Sequence, residues 1–384
     1  MSDRVLSPAS IAAQALGWIE PTTRAVVPPI HMASTFERDA DNRFSSGRIY
    51  ARADNPAYDQ AEKTLAKLEG GSTALLFSSG MSAATACFLA LSPGDHVVAP
   101  KVMYWSLRNW LVNFAAHWRI ETSFVDADST DALAAAVRPG KTRMIWLETP
   151  ANPLWTISDI AAAADIAHRS GAVLAVDSTV ATPVLTRPIE HGADIVMHSA
   201  TKYLNGHSDL IAGALVTARE DERWQRIRTI RAQLGMTMGS VEAWLLLRGL
   251  RTLFPRVQWA CRSAQQVAEH FNAHPLVEAL LYPGLPGFPG YAVAARQMTG
   301  GFSGMLSVRV KGGERAAIAT AARLELWKRA TSLGGVESLV EHRASIEGPG
   351  TPCPTDLLRL SVGLGDAADL IADLDQALRR AHNQ

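Results

Sequence analysis

A lysine stands in the polar run HSATKYLNGHSD, residues 198–209, directly after the apolar stretch ADIVM and before LIAGALV. Desolvating an ammonium costs several kcal/mol unless it is paired, neutralised or covalently used. Lys202 is therefore either a solvated loop residue or a group with chemistry to perform. Three other places offer complementary groups. SSGMSAATA (78–86) follows the apolar run ALLF and reads as a Ser-Gly turn into a helix, whose first-turn N–H groups favour an anion. The simpler alternative there is an N-cap by Ser78 or Ser79. Asp177 closes AVLAVD, where a buried carboxylate acts as an acid/base group, a partner for a cation or a cap on the next turn. Ser199 and Thr201 set two hydroxyls beside the lysine.

Together these groups meet the needs of pyridoxal phosphate. Its aldehyde requires a lysine that can lose a proton, its pyridine nitrogen an anion, and its phosphate amides, hydroxyls and a cation. Lys202, Asp177, the turn Ser79–Gly80–Met81 and the hydroxyls of Ser199 and Thr201 supply most of this set, and Tyr104 in KVMYWSL could stack on the ring. The turn is not GxxxxGKS and lacks an acidic residue at dinucleotide-fold spacing, so nucleotide binding is poorly supported.

Such groups must be held by a scaffold, and the chain is long enough to build a large one. Its 384 residues imply two or three domains by length alone. Equal numbers of basic and acidic residues, 37 of each, leave no net field for nucleic acid. No run of about 18 apolar residues suggests a membrane span, and MSDRVLSPASIAAQALG lacks a signal-peptide core, so a cytoplasmic location is expected. Cys87, Cys261 and Cys353 lie far apart without CxxC or Cys/His spacing, and no HExxH occurs, which argues against a metal site or a disulfide framework.

Residues 1–55, rich in turn signals, read as an arm. Over 56–245, apolar runs at 74–77, 96–100, 144–148, 172–177, 194–199 and 213–218 alternate with helical stretches such as PAYDQAEKTLAKLEGG. Strands apolar throughout and separated by helices predict an α/β domain with a parallel sheet covered on both faces, and ligands bind beyond the carboxyl ends of such strands. The helical stretch 241–274, the strands MLSVRVKGG and DLLRLSVG and a closing amphipathic helix predict a smaller α+β domain over 246–384.

HSATKYLNGHSD resembles the cofactor-lysine signature of the Cys/Met-metabolism branch of pyridoxal-phosphate enzymes, which includes cystathionine γ-lyases, β-lyases and γ-synthases, methionine γ-lyases and homoserine sulfhydrylases. YARADNP (50–56), AKLEGG, FSSGMSAATA, ETPANP, VDSTVATP, LRGLRTL, RQMTGGFSGMLS, TSLGGVESL and LRLSVGL extend the resemblance in the same order over nearly the whole chain. It implies fold type I, with a mainly parallel sheet in the cofactor domain. By position it implies that Lys202 bonds covalently to the cofactor, Asp177 meets the pyridine nitrogen, and Ser79, Gly80, Met81, Ser199 and Thr201 surround the phosphate. Tyr104 would stack on the ring and Asn152 lie near the phenolic oxygen. Arg359 would hold the substrate's α-carboxylate with help from the backbone of Ser332 and Leu333. Tyr50 and Arg52 would reach the phosphate of a neighbouring subunit in a homotetramer made of two dimers.

Departures bear on the substrate. Ser178 replaces the usual asparagine of VDNT, Trp105-Ser106 follow Tyr104 where small residues are common, and Gly365 replaces a glutamate. After GGVESL, the usual proline and TH give way to VEHRASIEGPG, which puts His342 and Arg343 near the expected place of the substrate's side chain. The resemblance implies a small-molecule amino-acid substrate and a carbon–sulfur lyase acting on cystathionine or a related thioether, with Lys202 and Tyr104 as the groups that move protons. The alternative is γ-replacement on O-succinyl- or O-acetylhomoserine. A non-catalytic protein that binds the same cofactor is a third reading, set against the fact that every catalytic position is filled.

Overall fold

The computed structural model describes residues 6–383. Strands β1 (Thr73–Phe77), β2 (His96–Pro100), β3 (Glu121–Val125), β4 (Thr142–Glu148), β5 (Val173–Asp177), β6 (Ile195–His198) and β7 (Gly213–Thr217) form one sheet in the order β1-β7-β6-β5-β4-β2-β3. Every residue of β2, β5, β6 and β7 is buried. Alternation explains why: Val97, Ala99, Met144 and Trp146 pack on one face against Ala83 and Phe88, while Val98, Ile145, Leu147 and Leu174 pack on the other against Ala163 and Ala167.

The sheet is mostly parallel, as expected, with one exception. β7 runs antiparallel to both β1 and β6. An apolar run such as GALVT carries no sign of its direction, so the sequence could not show this. β3 was not foreseen either: its residues are only half-buried or exposed, and ETSFV lacks the run of apolar residues that marks its neighbours.

The predicted helix after residue 55 spans Pro56–Glu69, opened by the Asn55 cap and closed by Gly70 in the left-handed region. The stretch 241–274 is two helices, Ser240–Leu250 and Leu253–Phe271. Arg256 stitches the break by donating to the Gly249 carbonyl at 2.8 Å. Position 246 lies inside the first of these helices.

A second sheet, ordered β10-β11-β12-β9-β8, comprises β8 (Val277–Leu281), β9 (Met305–Val310), β10 (Lys328–Arg329), β11 (Leu339–His342) and β12 (Leu357–Ser361). One apolar cluster joins it to the first sheet, with Leu65, Val180, Leu247, Val257, Leu306 and Leu360 as members. Near the amino terminus, the helix Pro8–Gln14 buries Ile11 and Ala12 with Leu68, whereas Val26, Met32 and Ile49 further along are exposed. Among the described residues no helix is long and apolar enough to cross a membrane.

Candidate active site

The carboxyl ends of β1, β4, β5 and β6 open onto one cavity of about 260 Å3, closed on its far side by the loop before β11 and by β12. Lys202 lies in the tight turn after β6, where its N–H meets the Ser199 carbonyl at 3.0 Å and the buried neighbours Ala200 and Asn205 fix the backbone. Its Nζ donates to Ser332 Oγ at 2.9 Å. Burial, reinforced by the Arg359 charge, lowers the Lys202 ammonium to about 8.

Asp177 is the last residue of β5 and the register partner of Glu148 on β4 and Met197 on β6. Its Oδ1 accepts the Thr179 N–H at 3.0 Å, so it does cap the following turn, and its carboxyl also lines the cavity. Glu148, which the sequence reading did not single out, stands beside it. Its two oxygens accept the N–H groups of Tyr104 at 2.6 Å and Asn152 at 2.9 Å. Burial raises the Asp177 carboxyl, and burial followed by the Asp177 charge pushes Glu148 up to about 8. A signal was present: MIWLE ends in an acid as AVLAVD does.

The Ser-Gly turn is both an N-cap and part of the cavity. Ser79 Oγ accepts the Ser82 N–H at 3.0 Å at the head of the helix Gly80–Leu89, and Ser79, Gly80 and Met81 line the cavity. A Cβ on Gly80 would fall 2.9 Å from Ser199 Cβ and Oγ, so only glycine lets the helix start approach Ser199 this closely. Thr201 also lines the cavity, but its hydroxyl proton goes to the Ala212 carbonyl at 3.1 Å and its oxygen accepts the Ala212 N–H.

Arg359 comes from β12 and is buried. Its Nη1 donates to Asn152 Oδ1 at 3.2 Å and its Nη2 to the Ser332 carbonyl at 2.6 Å. Leu333 lines the cavity beside Ser332, and Tyr104, 43% exposed, stands at its mouth. Tyr50 and Arg52 are not brought there within one chain. Tyr50 is exposed with the Arg52 guanidinium over its ring, and Arg52 Nη1 donates to the Ala232 carbonyl at 2.7 Å.

Of the departures, only Arg343 faces the cavity. His342, expected near the substrate's side chain, instead bonds Ser345 Oγ and the Thr355 carbonyl, each at 2.6 Å. It ends β11, where alternation sends neighbouring side chains to opposite faces. Trp105 leaves the cavity wall for the Arg108 guanidinium, 5.4 Å from its ring. Ser178 is buried, and its Oγ has no hydrogen-bond partner among the described residues.

A doubly wound sheet that brings a lysine of lowered basicity, a buried carboxylate and a glycine-tight helix start to adjacent strand ends belongs to the class of pyridoxal-phosphate-dependent α/β enzymes. Within that class the chain is a member of the Cys/Met metabolism PLP-dependent enzyme family, whose model matches residues 10–379. It is 45% identical over 366 residues to cystathionine gamma-synthase of Mycobacterium tuberculosis H37Rv, covering 94% of this chain and 93% of that one. It is 41% identical over 380 residues to L-methionine gamma-lyase of Porphyromonas gingivalis W83, covering 94% of each. The crystal structure of metB from Corynebacterium glutamicum superposes with a TM-score of 0.95 at 37% identity, over 98% of this chain and 99% of that one.

Proposed function

We propose that this enzyme is a carbon–sulfur lyase that eliminates a thiol from cystathionine or a related thioether amino acid. The observation that carries the reading is the convergence of Lys202, Asp177 and Arg359 on one cavity. Elimination needs a base, a carboxylate clamp and an anion that keeps the cofactor's ring nitrogen protonated, roles that fall to Lys202, Arg359 and Asp177, and it needs no second nucleophile.

The residues fit pyridoxal phosphate. The close approach at Gly80 sets the helix start against Ser199 on the cavity wall, where first-turn N–H groups suit a phosphate, the buried Asp177 carboxyl calls for a cationic partner, and Lys202 is lowered enough to be partly neutral near pH 8. Ser79, Gly80, Met81 and Ser199 would hold the phosphate beside Thr201, Asp177 the ring nitrogen, Asn152 the phenolic oxygen, Tyr104 the ring face and Lys202 the aldehyde. When bound, the cofactor supplies an aldehyde that takes up an amine and a ring that accepts the electron pair of the breaking Cα–H bond.

The other tasks fall to the chain. Arg359, steadied by Asn152 and the Ser332 carbonyl, binds the substrate's α-carboxylate, with Leu333 beside it. Lys202 Nζ, oriented by Ser332 Oγ, takes the α-proton. For a substituent on Cγ, a proton must also leave Cβ, which Nζ takes only after giving up the first, and the Tyr104 hydroxyl at the mouth is its partner in that exchange.

Tyr50 and Arg52, exposed and absent from the lining of their own cavity, support a site completed by a neighbouring subunit in a homotetramer of two dimers. The division into arm (1–55), cofactor domain (56–245) and C-terminal domain (246–384) rests on the change of pattern along the chain. Three buried free cysteines suit a reducing compartment and a cytoplasmic location.

The second reading is γ-replacement on O-succinyl- or O-acetylhomoserine, favoured by the 45% identity to a protein named cystathionine gamma-synthase. Purified enzyme given cystathionine alone should release a 2-oxo acid and a thiol. Failure to do so, beside thiol-dependent turnover of an activated homoserine, replaces the lyase with the second reading.

A further inference from the structure

Glu341 Oε2 holds two guanidiniums at once, Arg359 Nη2 at 2.7 Å and Arg343 Nη1 at 2.8 Å. All three side chains are buried, and both arginines line the cavity. Glu341 and Arg359 are register partners across β11 and β12. Arg343 opens the short helix Arg343–Glu347, and Glu347 Oε1 takes its Nε at 3.1 Å and its Nη2 at 2.6 Å. The Thr351 hydroxyl donates to the other oxygen of Glu347. The result is a row of alternating charge that begins at the proposed carboxylate site and ends at Glu347, with the Thr351 hydroxyl beyond it.

That row raises a difficulty for an anionic ligand. A carboxylate approaching Arg359 meets Glu341 on the same guanidinium, which repels the ligand and competes with it. Pulling Arg359 away from Glu341 would strand a buried charge. Arg343 removes the difficulty because it keeps Glu341 paired from the other side. Burial alone would raise the Glu341 carboxyl, but the Arg359 charge, the Thr331 hydroxyl and Arg343 together outweigh it and hold the group below its ordinary value, so it stays ionised and needs a cation. Arg359 also has capacity to spare, since its buried Nε has no partner among the described residues. Arg343 lies in VEHRASIEGPG, the segment where the family resemblance has a proline and TH, so the device belongs to this chain's own departure.

We propose that Arg343 is a positioning residue for substrate binding, which holds Glu341 so that the Arg359 guanidinium is free to take a carboxylate. The inference rests on the reading of Arg359 as the α-carboxylate site. The test titrates the cofactor-loaded enzyme with glycine, which has no side chain to eliminate, and with methylamine, the same amine without a carboxylate, following the cofactor's absorbance.

The wild type should bind glycine in preference to methylamine. Arg343→Met should raise the glycine Kd about tenfold while moving methylamine less than about twofold. Glu341→Gln alone, nearly isosteric, should leave glycine binding unchanged or tighter, and the double variant Glu341→Gln/Arg343→Met should return to within about threefold of wild type. Wild-type glycine affinity in Arg343→Met, or a double variant as weak as the single, overturns the proposal. So does a Glu341→Gln variant that loses glycine binding, and this arm stands even where Arg343→Met does not fold. A wild type that does not distinguish glycine from methylamine refutes the Arg359 reading itself, and the proposal with it.

Discussion

Lys202 Nζ rests on Ser332 Oγ, 2.9 Å away, while the Ser332 carbonyl takes Arg359 Nη2. One residue on the loop before β11 thus orients the proposed base with its side chain and the proposed carboxylate clamp with its backbone. The two duties separate under mutation. Ser332→Ala deletes the hydroxyl and keeps the carbonyl, so kcat should fall about tenfold with KM within about twofold of wild type. Steady-state kinetics decide, and a KM that rises more than kcat falls contradicts the division of labour.

Lys202 should be unusually reactive in cofactor-free protein. Its folded pKa of about 8 lies below the ordinary lysine value near 10.4, so the neutral, nucleophilic amine dominates above about pH 8. Pulse acylation read by peptide mass spectrometry should give a labelling rate at this lysine that climbs with pH and levels off just above 8. A rate still climbing at pH 10 would mean an ordinary ammonium.

Glu148 makes the cofactor-free protein lose stability as pH rises. Its folded pKa near 8 exceeds the unfolded value near 4.5, so between these limits the folded state retains a proton that the unfolded state releases. The contribution is complete below about pH 4.5 and gone above about 8, with a slope of at most about 1.4 kcal/mol per pH unit. Glu148→Gln should flatten the urea-midpoint profile between pH 5 and 8.5. An unchanged slope would place the proton elsewhere.

The shared-site proposal predicts complementation. Arg52→Ala should weaken retention of pyridoxal phosphate, and Lys202→Ala should be inactive. Mixed and reassembled, they should recover up to roughly a quarter of wild-type activity, since half the dimers are mixed and one of their two sites has both residues intact. No recovery on mixing argues for sites confined to single chains.

Much of this was legible in the sequence, and the remainder has a physical reason. Lys202, Asp177 and the Ser79 turn could be found because each follows an apolar run, and a covered sheet delivers whatever comes next to the same edge. Arg359 and Ser332 gave no such sign and were placed only through the resemblance, since their approach depends on how the second sheet docks. Glu148 carried the same mark as Asp177 and was passed over. The inward turn of Arg343 and the outward turn of His342 depend on where β11 hands over to a helix, a boundary that VEHRAS does not mark. The reversal of β7 is hidden for a similar reason: an apolar run states that it is buried, not which way it points.

That reversed strand also sets an order of assembly. Among the described residues β1 pairs only with β7, residue 73 opposite 217, and the turn that follows β1 is tied down by the Ser78 N–H on the Met236 carbonyl. On the ribosome, β5 with its aspartate and the turn after β6 with its lysine emerge while β1 still lacks β7. The Ser-Gly turn, made early, becomes anchored late, so a nascent chain halted before residue 213 would carry Asp177 and Lys202 with no fixed turn beside them.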